Sequence, residues 1–409
     1  MPNPRRRALH RSLPLLACLA AATPAGAGPG NGLQLVASLA YGHDDNLLRV
    51  PDGNPGFDNT RPDSWWTREA GLVFDRTYGR QRIAAVARLS KSDFDHFRQL
   101  NYDGKDLQAD WYWQLGNRLQ GKAGTSYQQV LAPYTDFLSA ERNLRKTRSS
   151  YADGSCRFHA AWQVRAGYRR DRYEYDAASQ RFNNRTEETP EIELDYLARS
   201  DSTVGLVARR VKGRYPFLRP VGPFNLNNDF TQDELKARVK WNASGVTVVE
   251  ALAGHTRRKQ PSFGEGTTSG LTGKVKATLQ PHGKMTYTAA VWRDFAPLES
   301  TIVSYTLNKG VSAGAQWDAT AKIRVNADIV AERRNYNARG NSVPGIPAAQ
   351  LHDALRDSLR TATLRATWAP RPTLQVSAGY AHQARSGAAA LGTGSFTSNS
   401  VTLSASAQF

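Results

Sequence analysis

The chain has 409 residues, a formal net charge of +18 and only two cysteines. The distribution of its apolar residues excludes one class of protein, as follows. After residue 30, no apolar run approaches the roughly 18 residues that a membrane-spanning helix needs. Helical periodicity is also scarce, whereas short alternation of apolar and polar residues, the period of a β-strand, recurs throughout. The composition therefore favours an all-β protein and excludes a helical membrane protein.

The first 27 residues have the three parts of a secretory signal peptide. Four arginines precede a short apolar segment, Leu13 to Ala22, and Ala25-Gly26-Ala27 supplies the small-x-small cleavage pattern. We expect a signal peptide over 1–27, cleavage after Ala27, and one domain over 28–409. A lipoprotein-like motif ending at Cys18 is an alternative, which would make that cysteine a lipidated N-terminus. Cleavage after Ala27 would leave Cys156 alone, so an intramolecular disulfide is excluded.

Alternation between apolar and polar residues predicts about eighteen strands in the remaining chain. Sixteen is the alternative, because 146–158 and 245–257 have an ambiguous phase and Glu250 interrupts the second of them. The predicted strands are 33–42, 66–75, 81–92, 104–115, 118–129, 146–158, 160–174, 189–199, 202–212, 230–242, 245–257, 267–279, 284–294, 301–317, 319–334, 355–368, 373–384 and 397–409.

The connections between these strands alternate between tight turns and long loops. Tight turns are expected at Gly116-Asn117, Ser200-Asp201 and Pro281-His282-Gly283, whereas 43–65 and 335–354 are among the long connections. Short turns on one side and longer loops on the other are typical of bacterial outer-membrane barrels. The sequence therefore predicts a transmembrane antiparallel β-barrel in the bacterial outer membrane.

Aromatic residues support the same prediction. Five tryptophans lie beside predicted short turns, where an aromatic girdle would meet the membrane interface; they are Trp113, Trp162, Trp241, Trp317 and Trp368. The chain ends on Phe409, after a strand of strict alternation, and we interpret this terminal aromatic as the signal read by the barrel-assembly machinery. Trp292 is out of phase with the apolar residues of its strand.

Basic residues occupy many of the predicted lumen positions. A basic lumen would favour anionic solutes, including an acidic polysaccharide. The alternative is that inward charges balance and that the excess of arginine binds lipopolysaccharide. The ten candidate lumen residues are Arg165, Arg169, Lys236, Arg238, Lys240, Lys274, Lys276, Lys322, Arg324 and Arg365.

No motif for catalysis, nucleotide binding or a metal site is present. We therefore expect no enzymatic activity, no cofactor and no nucleic-acid partner. The acidic run that contains Asp44, Asp45 and Asp52 could supply oxygen ligands to calcium, but it lacks the spacing of a known calcium loop. The alternative for this run is a solvated loop.

Several segments of the first half of the chain resemble the EpsL family of outer-membrane proteins, which are associated with exosortase and PEP-CTERM systems. The resemblance covers about residues 33–215 and fades to a general barrel pattern afterwards. It rests on the segments Tyr41 to Pro51, Phe74 to Arg82, Asn101 to Gly104, Trp111 to Leu119 and Glu141 to Arg145.

This resemblance implies a role in exopolysaccharide biosynthesis or export, and no catalytic residues come with it. We expect a conduit for an anionic polysaccharide, with a general anion-preferring porin or a non-conducting docking scaffold as alternatives. The expected partners are outer-membrane lipid, lipopolysaccharide, the barrel-assembly machinery and periplasmic polysaccharide-export proteins.

Overall fold

The computed structural model describes residues 32–221, 224–261, 265–297, 305–336, 356–387 and 394–409, so the predicted signal peptide lies outside the described residues. Eighteen antiparallel strands form one closed sheet, and a separate two-stranded hairpin, β10–β11, lies in the connection between β9 and β12. The barrel strands are β1 Gly32–Asp44, β2 Asp63–Tyr78, β3 Gln81–Phe94, β4 Tyr102–Leu115, β5 Leu119–Leu131, β6 Leu144–His159, β7 Trp162–Tyr175, β8 Arg185–Leu197, β9 Thr203–Arg214, β12 Phe230–Ser244, β13 Thr247–Pro261, β14 Glu265–His282, β15 Met285–Pro297, β16 Tyr305–Trp317, β17 Ile323–Tyr336, β18 Arg356–Arg371, β19 Leu374–Gly387 and β20 Phe396–Gln408. The hairpin strands are β10 Arg219–Val221 and β11 Phe224–Leu226, and two short 3-10 helices span Arg98–Leu100 and Ala178–Asn183.

The first and last strands close the barrel. β1 pairs with β20 from Val36–Gln408 to Asp44–Ser400. Past the end of that ladder, Leu35 and Phe409 exchange two backbone hydrogen bonds of 3.0 and 2.9 Å. Closure leaves no unpaired strand edge, which is what a sheet in a hydrocarbon environment requires.

Alternation along each strand separates an outward face from an inward face. In β20, Val401 and Leu403 are 44% and 51% exposed, while Ser398, which points the other way, is 1% exposed. The same alternation runs through the sheet, with leucine, valine and tryptophan outward. An apolar outward face is favourable where the surrounding solvent is lipid.

The connections fall into the two predicted classes. At one end of the barrel, here the short-turn end, two-residue turns include Gly79-Arg80, where Gly79 has a φ of 59°. The long connections, including 45–62, 132–143 and 215–229, lie at the opposite, long-loop end. By the usual topology of outer-membrane barrels, the long-loop end is external.

The principal hydrophobic core lies among the loops of the long-loop end. Leu48 and Val50 from the first long loop are each 1% exposed, and Phe97 and Leu100 from the β3–β4 connection are equally buried. Tyr134 from the β5–β6 loop completes this cluster. Three loops from the first third of the chain therefore pack into one folded layer at the mouth of the barrel, which we call the mouth cluster.

The predicted fold is confirmed, and eighteen strands rather than sixteen are present. Both ambiguous segments are strands, namely β6 and β13, and Glu250 is inward because it lies opposite Lys240 and Lys276. Among the described residues, no helix is long and apolar enough to span a membrane. The five girdle tryptophans all lie near the short-turn end, where Trp241, Trp317 and Trp368 are about half exposed on the outward face.

Candidate functional site: the lumen and its mouth

The inward face of the barrel has both acids and bases, and most of the candidate basic residues lie on it. Nine of the ten are on strands, in register with inward neighbours. Lys322 is the exception, because β17 begins at Ile323 rather than at the predicted residue 319. Lys322 is an exposed residue of the β16–β17 turn, so it does not line the wall.

One group of candidates belongs to an ion-pair network on β6 to β12. Arg165 lies 3.1 Å from the Asp153 carboxylate and 3.9 Å from Glu193. Arg238 binds the same Glu193, which is almost fully buried, and approaches Glu191 at 4.0 Å. The positive charge of these two arginines is therefore largely compensated locally.

A second part of this network is centred on Glu234. Its carboxylate accepts an ion pair from Arg209 and lies 3.1 Å from the Lys236 ammonium. The side chains of Lys236 and Glu234 are 3% and 2% exposed. Lys236 is thus a buried partner in the wall rather than a free cation facing the lumen.

Two further candidates are also paired. Arg169 lies 2.8 Å from Asp171 on its own strand. Arg324 lies 2.5 Å from Asp318 in the β16–β17 turn, at the short-turn end. Arg365 is inward and half-buried on β18, opposite Gly379.

Three lysines on β12 and β14, the two strands that flank β13, differ from the other candidates. Lys240, Lys274 and Lys276 are inward, and no carboxylate among the described residues lies within 4 Å of their ammonium groups. Lys240 and Lys276 lie on either side of Glu250 in one cross-strand row. The positive charge that has no carboxylate partner on this part of the wall is therefore concentrated on β12 and β14.

Trp292 lies beside these lysines, and its unexpected phase has a structural reason. It is paired with Lys274 on one side and with Gly310 on the other, so it faces inward. The Lys274 ammonium is 5.7 Å from the ring centroid, and the indole N–H donates to Glu332 at 3.0 Å. A side chain at Gly310 would collide with the indole ring, whose nearest atom is 2.1 Å from an ideal Cβ position, so glycine allows the ring to lie against the wall.

A loop spans the mouth of the barrel. Asp136, in the 132–143 loop, accepts ion pairs from Arg334 of β17 at 2.9 Å and from Arg385 of β19 at 3.3 Å. Both arginines also bind Asp357 of β18, at 2.6 and 2.5 Å. Around the closed sheet, this loop is separated from β18 by β5, β4, β3, β2, β1, β20 and β19, so it reaches a nearly opposite part of the wall.

The remaining described loops add a second buried layer. Arg219 of the β10–β11 hairpin is 1% exposed, lies 4.9 Å from the Phe182 ring centroid and donates to Asn183 at 3.1 Å. Burial lowers the pKa of the Arg219 guanidinium to about 10. Burial also raises the pKa of Tyr215, on the same connection.

In the acidic run from Asp44 to Asp52, the carboxylates of Asp44 and Asp45 are bound by protein groups. Asp44 binds Arg49 at 3.0 Å and accepts from Ser398 at 2.8 Å, while Asp45 accepts from Asn399. These carboxylates connect the start of the first loop to the last strand, and the apolar residues that follow them, Leu47, Leu48 and Val50, enter the mouth cluster. No group of three metal-ligating side chains occurs within the described ranges.

The candidate residues predicted from the sequence include none of the three that meet in the mouth, Asp136, Arg334 and Arg385. Asp136 lies in a segment with no periodicity, 198 residues before Arg334, so no local pattern indicates the contact. Glu234 was on a predicted strand, and its inward position follows from the same alternation that placed Lys236.

Comparison with solved structures gives outer-membrane barrels. A BenF-like porin from Pseudomonas fluorescens Pf-5 matches with a TM-score of 0.51 at 9% identity, covering 92% of this chain and 98% of the porin. OccK2 (OpdF) from Pseudomonas aeruginosa, solved in complex with glucuronate, matches with a TM-score of 0.50 at 12% identity, with coverage of 92% and 98%. The alcaligin outer membrane receptor FauA from Bordetella pertussis matches with a TM-score of 0.47 at 14% identity, covering 93% of this chain and 76% of the receptor.

No protein-family model and no curated protein matches the chain. At these identities the structural matches establish the fold, which is that of an outer-membrane barrel.

Proposed function

We propose that this barrel is an outer-membrane channel for acidic saccharides and that it takes part in exopolysaccharide export. The observation behind the proposal is the inward group formed by Trp292, Lys274 and Lys276, with Lys240 on the same wall. A large aromatic side chain is unusual on the inward face of this strand, whose large apolar residues Tyr287 and Val291 are exposed on the outward face.

The chemistry of this group suits a sugar acid. The flat, apolar face of an indole packs against the C–H face of a pyranose ring, and its polar edge is already bonded to Glu332. Lysine ammonium groups that lack a carboxylate partner attract anions within a lumen, where rings of charge govern selectivity. Together they provide stacking and charge for a carboxylated sugar.

The link to exopolysaccharide rests on the resemblance of residues 33–215 to the EpsL family. A general anion-preferring porin is the second candidate, and the loop that crosses the mouth favours it. A loop that is anchored to nearly opposite parts of the wall obstructs the passage of a polymer more than the passage of a small solute. A docking scaffold that does not conduct is the third reading.

The experiment compares two triple variants in planar bilayers under a salt gradient. Replacement of Lys240, Lys274 and Lys276 by Glu should shift the reversal potential toward cation preference, because lumen substitutions change selectivity more than folding. The control replaces Lys91, Lys105 and Lys212, three exposed outward lysines, by Glu and should leave the reversal potential unchanged. Glucuronate should block the first variant less strongly than the wild-type channel, whereas the effect of glucose should be the same in both.

The outcomes separate the three readings. Wild-type protein without conductance would refute a channel and support the scaffold. The porin would be supported if the purified barrel passes glucuronate while cells that lack its gene release acidic exopolysaccharide at an unaltered level. Equal reversal potentials in the two triple variants would refute the assignment of these three lysines.

A further inference from the structure

Three cations lie side by side on the outward face of β15, β16 and β17. Arg293 is opposite Lys309, and Lys309 is opposite Arg333, in one unbroken cross-strand row. All three are exposed, and Arg360 of β18, also exposed, lies diagonally next to Arg333. Side chains directly opposite on neighbouring strands are about 5 Å apart, and like charges in such positions are destabilising.

Three outward arginines elsewhere near the long-loop end have acidic partners. Arg210 lies 2.5 Å from Asp233, Arg172 lies 2.6 Å from Glu174, and Arg68 lies 3.5 Å from Asp93. By contrast, no acidic residue occupies an outward position in the described parts of β15 to β19. The repulsion within this row is therefore not relieved by any ion pair among the described side chains.

The depth of the row identifies the environment of these cations. Lys309 precedes the girdle residue Trp317 by eight residues in β16. At about 3.4 Å per residue and a strand tilt of about 40°, this separation corresponds to roughly 20 Å along the membrane normal. The outward residues Val311, Ala313 and Ala315 lie between the two. The apolar band of such barrels is about 25 Å tall, so the row lies where hydrocarbon gives way to lipid headgroups at the long-loop end.

We propose that Arg293, Lys309, Arg333 and Arg360 form a binding site for the phosphate groups of lipid A, the phosphorylated glycolipid of the outer leaflet. Guanidinium groups bind phosphate through paired hydrogen bonds, and a lysine adds a point charge between two of them. A diphosphorylated headgroup supplies the negative charge that this row lacks, and its acyl chains lie along the apolar residues below. This proposal is independent of what passes through the lumen.

The test measures binding of diphosphoryl lipid A to the purified barrel in detergent. Replacement of Arg293, Lys309 and Arg333 together by Gln should weaken binding at least about tenfold, because several charge-assisted hydrogen bonds are lost. The matched control, Arg68, Arg172 and Arg210 to Gln, removes the same charge from cations that already have acidic partners and should retain wild-type affinity. A variant with Arg293→Lys and Arg333→Lys should bind with intermediate affinity.

Folding is verified by the heat-dependent gel shift of each variant, and single Gln substitutions replace the triple if it fails to fold. Fully dephosphorylated lipid A should bind weakly to wild type, and inorganic phosphate alone should not bind measurably. Equal loss of affinity in the control triple, or unchanged affinity in the Arg293/Lys309/Arg333 triple, would overturn the proposal. Tight binding of inorganic phosphate would overturn the choice of a lipid as the ligand.

Discussion

At the scale of single residues, the partner of a charge decides what that charge can do. Lys236 and Lys240 are four residues apart on the same strand and face the same way, yet only Lys236 is buried against a carboxylate. Alternation in the sequence predicts the shared direction. It cannot predict the pairing, because Arg209 reaches Glu234 from the neighbouring strand β9.

This difference leads to a prediction for two adjacent acids of β12. Glu234→Gln should lower the free energy of unfolding by about 3 kcal/mol, because it leaves the buried Lys236 and Arg209 without their shared carboxylate. Asp233→Asn, which removes the partner of the fully exposed Arg210, should leave the free energy of unfolding close to the wild-type value, because solvent screens exposed ion pairs. Urea unfolding in detergent, followed by tryptophan fluorescence, measures both, and equal effects would contradict the buried-pair interpretation.

At the scale of elements, the strands were predictable and the loops were not. The predicted strand 301–317 is β-strand over its described part, Tyr305–Trp317, and residues 301–304 lie outside the described residues. The loop 132–143 had no pattern at all, although Tyr134 enters the mouth cluster and Asp136 reaches β17 and β19. Loop conformations depend on contacts between distant segments, which a single sequence does not reveal.

The spanning loop can be tested by releasing it from the far wall. Asp136→Ala removes the carboxylate that Arg334 and Arg385 share, so the loop should swing away and the single-channel conductance should rise. Stability should fall by roughly 1–3 kcal/mol, as expected when a buried charged hydrogen-bond partner is lost. Arg142→Ala, an exposed change in the same loop, is the control, and equal conductance of both variants and wild type would argue against a constriction.

At the scale of the whole molecule, closure depends on the two terminal strands. Phe409 is 76% exposed on the outward side, while its backbone is bonded to Leu35. The sequence predicted the strand and its strict alternation, and the pairing with β1 follows from closing an even number of strands. The register of that pairing was not predictable, because nothing local fixes which residue of β1 meets Gln408.

Phe409→Ser should reduce the amount of membrane-inserted, heat-modifiable protein and leave unassembled chains in the periplasm. The backbone bonds to Leu35 are retained in this variant, so a fall would be due to the aromatic side chain itself. Phe409→Tyr is the matched control and should assemble normally. Fractionation followed by immunoblotting measures both, and normal insertion of the serine variant would contradict an assembly signal at this residue.

The spanning loop also has a mechanical consequence. A thin closed wall behaves like a hoop, which flattens into an oval under lateral pressure far more easily than it stretches. Asp136 is fixed to the wall at Arg334 and Arg385, and its own loop leaves the wall between β5 and β6, so the segment acts as a strut across much of the hoop's diameter. Bilayer pressure would therefore deform the short-turn end more readily than the long-loop end, and the barrel would resist ovalisation at the level of this loop.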